Sequence, residues 1–235
     1  MTMKNHDEGT FSLEDGQPTL EQSNALKLIA IISMTVDHVG AILLPNVGWL
    51  RIIGRVAFPL FAYQLAAGYL HTRNLARYAL RLAVWGLIAQ PVYMIAFGVG
   101  LWKFNIFATL LLGLLAIWGW DHHRWWAILL ALGLASIQLW LPAVGPDYGL
   151  YGVLLCLTSF VLFQHREQVV IGHGLLHVLA GSLFWPSQVY AVASIPFILW
   201  PPRLRLHMHY LPELFYVYYP AHLALLVLIR YLLMR

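Results

Sequence analysis

The chain contains 235 residues, of which 60% are hydrophobic and 10% are charged, and its mean hydropathy is +0.70. A soluble domain carries about 25% charged residues, so this composition excludes an ordinary soluble protein and indicates one that spans a lipid bilayer. The formal net charge of +4 belongs to arginines in the loops and is not a nucleic-acid signature. The single Cys156 excludes an intramolecular disulfide.

Residues 1–24 come first along the chain and differ from the rest. They are polar and contain Gly9, Gly16, Pro18 and five acidic residues, a composition typical of a flexible tail. The segment lacks the basic start, the short apolar run and the small-residue cleavage site of a signal peptide. We therefore predict a polar cytoplasmic tail over 1–24 and a transmembrane domain over 25–235.

Apolar runs follow the tail at regular intervals. A helix needs about 20 apolar residues to cross the hydrocarbon core of a bilayer. The runs predict an all-α, polytopic membrane helix bundle with about nine transmembrane helices, of which the sixth and eighth are short for full crossings. The predicted spans are 26–44, 52–70, 82–98, 105–120, 125–142, 150–164, 169–185, 188–200 and 214–234.

The basic residues of the loops predict the orientation of these spans. Loops after the odd-numbered spans contain only Arg51 and Lys103. Because positive charge concentrates in cytoplasmic loops, this asymmetry predicts a cytoplasmic N-terminus. The loops after the even-numbered spans contain Arg73, Arg77, Arg81, Arg124, Arg166, Arg203 and Arg205.

Ionisable residues inside the spans are the candidates for function, because each is costly at bilayer depth unless it is paired or hydrated. Asp37 and His38 lie roughly 16–18 Å along the first span. They point about 100° apart, so they cannot pair with each other. Arg55 is a plausible partner for Asp37, and the alternative function of such a pair is to lock two helices together. In the last span, Tyr219 and His222 share a face beside Pro220, which indicates a site more than simple packing.

Three further groups allow two interpretations each. If helical, Arg73, Arg77 and Arg81 form a basic stripe that either binds a polyphosphate ligand or only reflects topology and lipid contact. His173 and His177 have the spacing of a metal pair, but no other ligand lies near them in sequence, so buried, hydrogen-bonded histidines are favoured. A periplasmic turn that includes Asp147 and Tyr148 either contacts a substrate or only closes the loop.

Six short motifs lie in order between Leu28 and Leu226. They are Met34–His38 (MTVDH), Gly54–Phe61 (GRVAFPLF), Arg81–Gln90 (RLAVWGLIAQ), Asn105–Phe107 (NIF), Tyr148–Gly152 (YGLYG) and Phe215–Leu223 (FYVYYPAHL). In their order and spacing these motifs resemble the TraX family of conjugal-transfer membrane proteins, which is similar to multi-spanning membrane acyltransferases.

The resemblance implies an acyltransferase of the bacterial inner membrane. Its co-substrate would be acetyl-CoA, its acceptor the N-terminal amine of a pilin or another envelope molecule, and its surroundings membrane lipids. The phosphates of coenzyme A would meet the arginine stripe on the cytoplasmic side. No metal is implied.

The residues suggest how such a transfer would proceed, since it needs a base and donors for an oxyanion. His38 or His222 is the candidate base, and Asp37 would orient the base or the acceptor. Arg55 or Tyr219 would stabilise the oxyanion. At the acceptor side, Asn105 is a candidate donor, and Asp147 and Tyr148 are candidate substrate contacts.

Two other functions also fit the buried charges. A proton- or ion-coupled transporter would use them as a relay, although we find no internal repeat. A membrane assembly factor without catalytic activity would use them only for packing.

Overall fold

The computed structural model describes residues 18–163, 165–203 and 211–234, and there the chain is almost entirely helical. The 3-10 helix of this part covers Pro186–Ser194, and two short strands are β1 (Lys103–Phe104) and β2 (Gly145–Pro146). The α-helices are α1 (Leu20–Ile42), α2 (Gly48–Gly54), α3 (Ala57–His71), α4 (Leu75–Phe97), α5 (Ile106–Asp121), α6 (Trp125–Trp140), α7 (Gly149–Val161), α8 (Arg166–Leu183), α9 (Ile195–Leu199) and α10 (Leu211–Leu233).

The predicted all-α membrane bundle is confirmed, since every predicted span falls on a helical segment. Among the described residues, four segments are long and apolar enough to cross a membrane: α1, Gly48–His71, α4 and Leu214–Leu233. Shorter apolar segments are α5, α6, α7 and Pro186–Leu199. The predicted span 188–200 differs from expectation, because it is a 3-10 helix that continues into the five-residue helix α9.

Two long helices begin earlier than their apolar runs, because polar side chains cap them. Thr19 and Gln22 form a capping box at the start of α1. The last residues of the predicted tail 1–24 are therefore helical, and residues 1–17 lie outside the described part. Asn74 accepts a hydrogen bond from the backbone N–H of Arg77 and starts α4 well before residue 82.

The second predicted span is broken in the middle. Helix α2 ends at Gly54, Arg55 and Val56 form a turn, and α3 begins at Ala57. A side chain at Gly54 would collide with Asp37 of α1, so this glycine allows the two helices to touch. Irregular backbone at membrane depth occurs where it is buried in protein or lines a cavity. The break therefore indicates a place to look for a site.

The remaining helices pack around α1 and the broken span. Helix α10 lies against α1 and α4, while α5 packs between α6 and α7. The parallel pairing of β1 with β2 ties the α4–α5 loop to the α6–α7 loop. Large apolar side chains face outward, as in Leu87 and Trp140, which are 76% and 83% exposed. Such a surface suits contact with lipid.

The contact between α5 and α7 yields a test of the packing. A Cβ at Gly113 would lie 2.7 Å from the Cβ and Sγ atoms of Cys156. Gly113→Ala should therefore overpack this contact and destabilise the protein by about 1–3 kcal/mol. A Cβ at Gly133 of α6 would have no neighbour within 4 Å, so Gly133→Ala provides the matched control. Thermal unfolding in detergent should show a lower melting temperature for Gly113→Ala only.

Candidate functional site

A buried ion-pair cluster joins α1 to the broken span. The Asp37 carboxylate accepts hydrogen bonds from Arg51, at 2.5 Å, and from Arg55, at 2.9 Å. The Asp37 and Arg55 side chains are only 9% and 11% exposed, whereas Arg51 is 37% exposed. The predicted Asp37–Arg55 pair is confirmed. Arg51 was missed as a partner because the sequence placed it in a loop, where it counted only toward topology.

The Asp37 carboxylate does not orient His38, which instead pairs with His222 of α10. The Nδ1 atom of His38 lies 2.7 Å from Nε2 of His222, and the two rings stack with centroids 5.0 Å apart. On its other side, Nδ1 of His222 lies 2.8 Å from the carbonyl oxygen of Tyr218, which can only accept. In the neutral pair, His222 therefore donates from Nδ1 and accepts at Nε2 from His38. The lone pair of the dyad then resides on Nε2 of His38.

Aromatic side chains hold the histidine dyad from several directions. Tyr218 stacks on the His222 ring, with centroids 4.8 Å apart, and its hydroxyl lies 2.6 Å from Thr35 Oγ1. Tyr219 and Phe97 meet the His38 ring edge-on, at 6.1 and 5.4 Å between centroids. Helix α10 continues through Pro220 without a break, so Tyr218, Tyr219 and His222 remain on one helix.

The ion pairs and the dyad line one cavity, which we call the histidine cavity. Its volume is about 390 Å³. Its walls come from α1, the broken span, α4, α10, the 3-10 helix and the loops that follow α4 and α6. Polar side chains in the wall are Asp37, His38, Arg51, Arg55, Tyr93, Lys103, Asp147, Tyr148, Ser187, Gln188 and Tyr219. All five residues predicted to be catalytic belong to this region, although His222 does not line the cavity itself and contacts its wall through His38 and Tyr219.

A chain of hydrogen bonds also connects Arg55 to His177 of α8. Its Nη1 donates to Gln188 at 3.4 Å, and the Gln188 amide donates to the Tyr151 hydroxyl at 2.8 Å. That hydroxyl lies 2.8 Å from Nδ1 of His177, while His173 bonds with Ser159. Both histidines are thus buried and hydrogen-bonded. In the described part of the chain, no three His, Cys, Asp or Glu residues are grouped to hold a metal.

The α6–α7 turn contributes two of the predicted substrate residues to the histidine cavity. Asp147 accepts a hydrogen bond from the Tyr93 hydroxyl at 3.0 Å, and the Tyr148 ring stacks on Phe58 with centroids 3.9 Å apart. Burial raises the pKa of the Asp147 carboxyl, while the Tyr93 hydrogen bond and the charge of Lys103 act in the opposite direction. A buried carboxylate here can bind a cationic group.

Asn105 differs from its predicted role. Its side-chain oxygen accepts from the N–H of Phe107 and caps α5. Its amide donates to the carbonyl of Gly86 at 2.7 Å and to Gln90 at 2.8 Å. Both amide hydrogens are used inside the protein, and the residue does not line the cavity. We therefore assign Asn105 a structural role in place of the expected substrate contact.

A second cavity, which we call the basic cavity, has a volume of about 720 Å³ and lies beside the starts of α1 and α4 and the end of α3. Lys27, Arg73 and Arg81 line it together with polar groups such as Ser23, Gln64 and His71. The Arg81 guanidinium lies over the rings of Tyr78 and Tyr216, at 5.7 and 5.9 Å.

The predicted arginine stripe is therefore only partly formed. Arg73 precedes the cap of α4 and is not helical, while Arg77 lies on the helix but outside the basic cavity. Lys27 was missed because it stood at the edge of an apolar run. Its position inside α1 identifies it by the same rule that singled out Asp37.

The ion-pair cluster predicts a large loss of stability when its carboxylate is neutralised. Asp37→Asn leaves the buried Arg55 without its ion-pair partner, which should cost about 3–5 kcal/mol. Asp121→Asn is the control, because the Asp121 side chain is 46% exposed and its carboxylate contacts the side chains of Tyr69 and His122. Thermal unfolding in detergent measures both variants, and equal melting temperatures would contradict this account of the cluster.

Comparison with known proteins shows relatives along most of the chain. It is 32% identical over 230 residues to "Probable fimbrial assembly protein FimC, serogroup H1" of Dichelobacter nodosus, covering 86% of this chain and 92% of that protein. It is 29% identical over 216 residues to "Protein TraX" of Escherichia coli, covering 87% and 86%. No solved structure is significantly similar. The family described as TraX protein matches residues 22–230. The chain therefore belongs to the TraX family.

Proposed function

We propose that this protein is an acetyl-CoA-dependent acyltransferase that modifies the N-terminal amine of a pilin during assembly of a pilus or fimbria. The observation that carries the proposal is the His38–His222 dyad, whose His38 ring lines a cavity that also contains cationic donors. The names of the relatives, which include a fimbrial assembly protein, support a pilin as the acceptor.

The chemistry of the histidine cavity suits direct transfer. The neutral acceptor amine attacks the thioester carbonyl carbon, and Nε2 of His38 takes the proton that the amine loses. Arg55 and Tyr219 line the cavity and stabilise the oxyanion of the tetrahedral intermediate. The C–S bond then breaks, and the proton passes from His38 to the leaving thiolate. The products are an N-acetylated amine and coenzyme A.

An acyl-enzyme is not required. The thiol of Cys156 is fully buried, packs at Gly113 and lines neither cavity. Direct transfer in a ternary complex of enzyme, donor and acceptor therefore needs only the side chains of the histidine cavity.

The basic cavity is the proposed site for coenzyme A. Its cations Lys27, Arg73 and Arg81 suit phosphate groups, since guanidinium groups bind phosphate oxygens with two hydrogen bonds. Tyr78 and Tyr216 offer flat surfaces beside Arg81. With the N-terminus in the cytoplasm of a bacterium and the chain in the inner membrane, this cavity faces the compartment that supplies acetyl-CoA.

The histidine cavity then faces the acceptor on the opposite side of the membrane. Asp147 provides a carboxylate that binds the ammonium form of the pilin N-terminus before it is deprotonated. The nearby Tyr148 and Trp185 side chains line the same cavity and provide apolar surface for the first residues of the acceptor.

The role of the dyad is tested with purified protein in nanodiscs, incubated with acetyl-CoA, by measuring the release of free thiol. Thiol release should require a pilin-like peptide with a free N-terminal amine, and His38→Ala should lower it by at least about 100-fold, the usual contribution of a general base. His222→Ala should lower it less, because His38 keeps its basic nitrogen. The control is His122→Ala, since His122 is exposed and lies in neither cavity.

Two results would contradict the acyltransferase. One is full activity of a folded His38→Ala variant, which would remove the dyad from the mechanism. The other is the absence of both thiol release and coenzyme A binding together with proton-dependent solute uptake into vesicles, which would favour a transporter.

The basic cavity is tested by a matched pair of arginines on α4. Arg81→Gln removes a cation from the cavity wall and should raise the KM for acetyl-CoA by about tenfold, as expected for loss of one hydrogen bond to a charged group. Arg77→Gln removes the same charge one turn away, outside the cavity, and should leave the KM unchanged. Equal effects of the two substitutions would mean that the arginines act only through general charge.

A further inference from the structure

The two cavities meet at a single side chain. Among the described residues, Phe61 is the one that lines both the basic cavity and the histidine cavity. It lies on α3, where Ala57 and Phe58 before it line only the histidine cavity and Gln64 and Leu65 after it line only the basic cavity. The ring of Phe61 is therefore located at the boundary between the two spaces.

Neighbouring rings extend this boundary, which we call the aromatic partition (Phe61, Phe107, Phe215 and Tyr219). The Phe61 and Phe215 rings are 4.6 Å apart between centroids, and Phe215 lies 6.4 Å from Phe107. Phe107 meets Tyr219 edge-on at 5.3 Å. The partition thus joins α3, α5 and α10. Phe61 is 7% exposed, so its ring is packed against its neighbours.

The partition lies across the path that the proposed reaction requires. Coenzyme A in the basic cavity must bring its thioester to Nε2 of His38 in the histidine cavity. The acyl group is at the tip of the molecule, so it has to pass Phe61 first. Close-packed side chains yield only small spaces, so the bulk of the acyl group affects this passage.

We propose that Phe61 is a specificity-determining residue that restricts the enzyme to narrow acyl groups such as acetyl. This assignment rests on the proposed function and adds the selection of the donor to it. A branched acyl group displaces the Phe61 ring from its contact with Phe215, whereas the two-carbon acetyl group requires the least displacement. Small differences in bulk at a packed apolar site change kcat/KM by about 10–200-fold.

The experiment compares acetyl-CoA with isobutyryl-CoA as donors to the pilin-like peptide in nanodiscs. The wild type should favour acetyl-CoA by at least about tenfold in kcat/KM, and Phe61→Ala should lower that preference by about tenfold. The ratio of the two donors does not depend on the fraction of folded enzyme. Phe163→Ala removes another buried ring, one that lines neither cavity, and its ratio should match the wild type.

A bulkier side chain gives the opposite test and does not rely on a destabilising truncation. Phe61→Trp should lower kcat with acetyl-CoA by at least about tenfold, a larger factor than any change in the Kd for coenzyme A. An active Phe61→Ala enzyme with an unchanged donor ratio would overturn the role of Phe61 and leave the acyltransferase standing. Wild-type protein that releases no thiol from either donor would overturn the proposed function and this assignment together.

Discussion

The buried carboxylate of Asp37 is the constraint on which the rest of the site depends. A charge at this depth is stable only when it is fully paired, and Asp37 has two guanidinium partners within hydrogen-bond distance. Both partners come from the same broken span, on either side of Gly54, the last residue of α2. The pairing therefore holds α1 against α2 and stabilises the turn at Arg55, while the absence of a side chain at Gly54 makes the close approach possible.

The position of His38 follows from that constraint. Successive helix residues point about 100° apart, so fixing Asp37 toward the broken span directs His38 toward a different neighbour, α10. There Nε2 of His222 accepts a hydrogen bond from Nδ1 of His38, and the Tyr218 carbonyl fixes the tautomer of His222. Two adjacent residues of α1 therefore have different neighbours. Asp37 forms ion pairs with the broken span, and His38 pairs with His222 and lines the cavity.

Sequence reasoning identified part of this site, and the limits of what it found have physical causes. The cost of burying charge was enough to single out Asp37, His38, Arg55 and His222, and to pair Asp37 with Arg55. The His38–His222 contact joins residues 184 positions apart, and the hydropathy of each span says nothing about which helices are neighbours. The arginine spacing suggested one stripe, but the Asn74 cap starts the helix after Arg73 and leaves only Arg77 and Arg81 on it. The apolar run over 52–70 likewise predicted one span and did not reveal the break at Arg55.

The different linings of the two cavities bear on the choice between transfer and transport. A transporter exposes one binding site to each side in turn, so the same groups meet the same solute from both directions. Here the basic cavity offers cations and tyrosine rings suited to phosphates, whereas the histidine cavity offers a base, a buried carboxylate and an ion-pair cluster. The aromatic partition lies between the two cavities, and its Phe61 side chain lines both of them. Transfer of a small acyl group across the partition would use both linings, because the donor binds on one side and the acceptor on the other. Transport of a whole solute would not explain why the two linings differ.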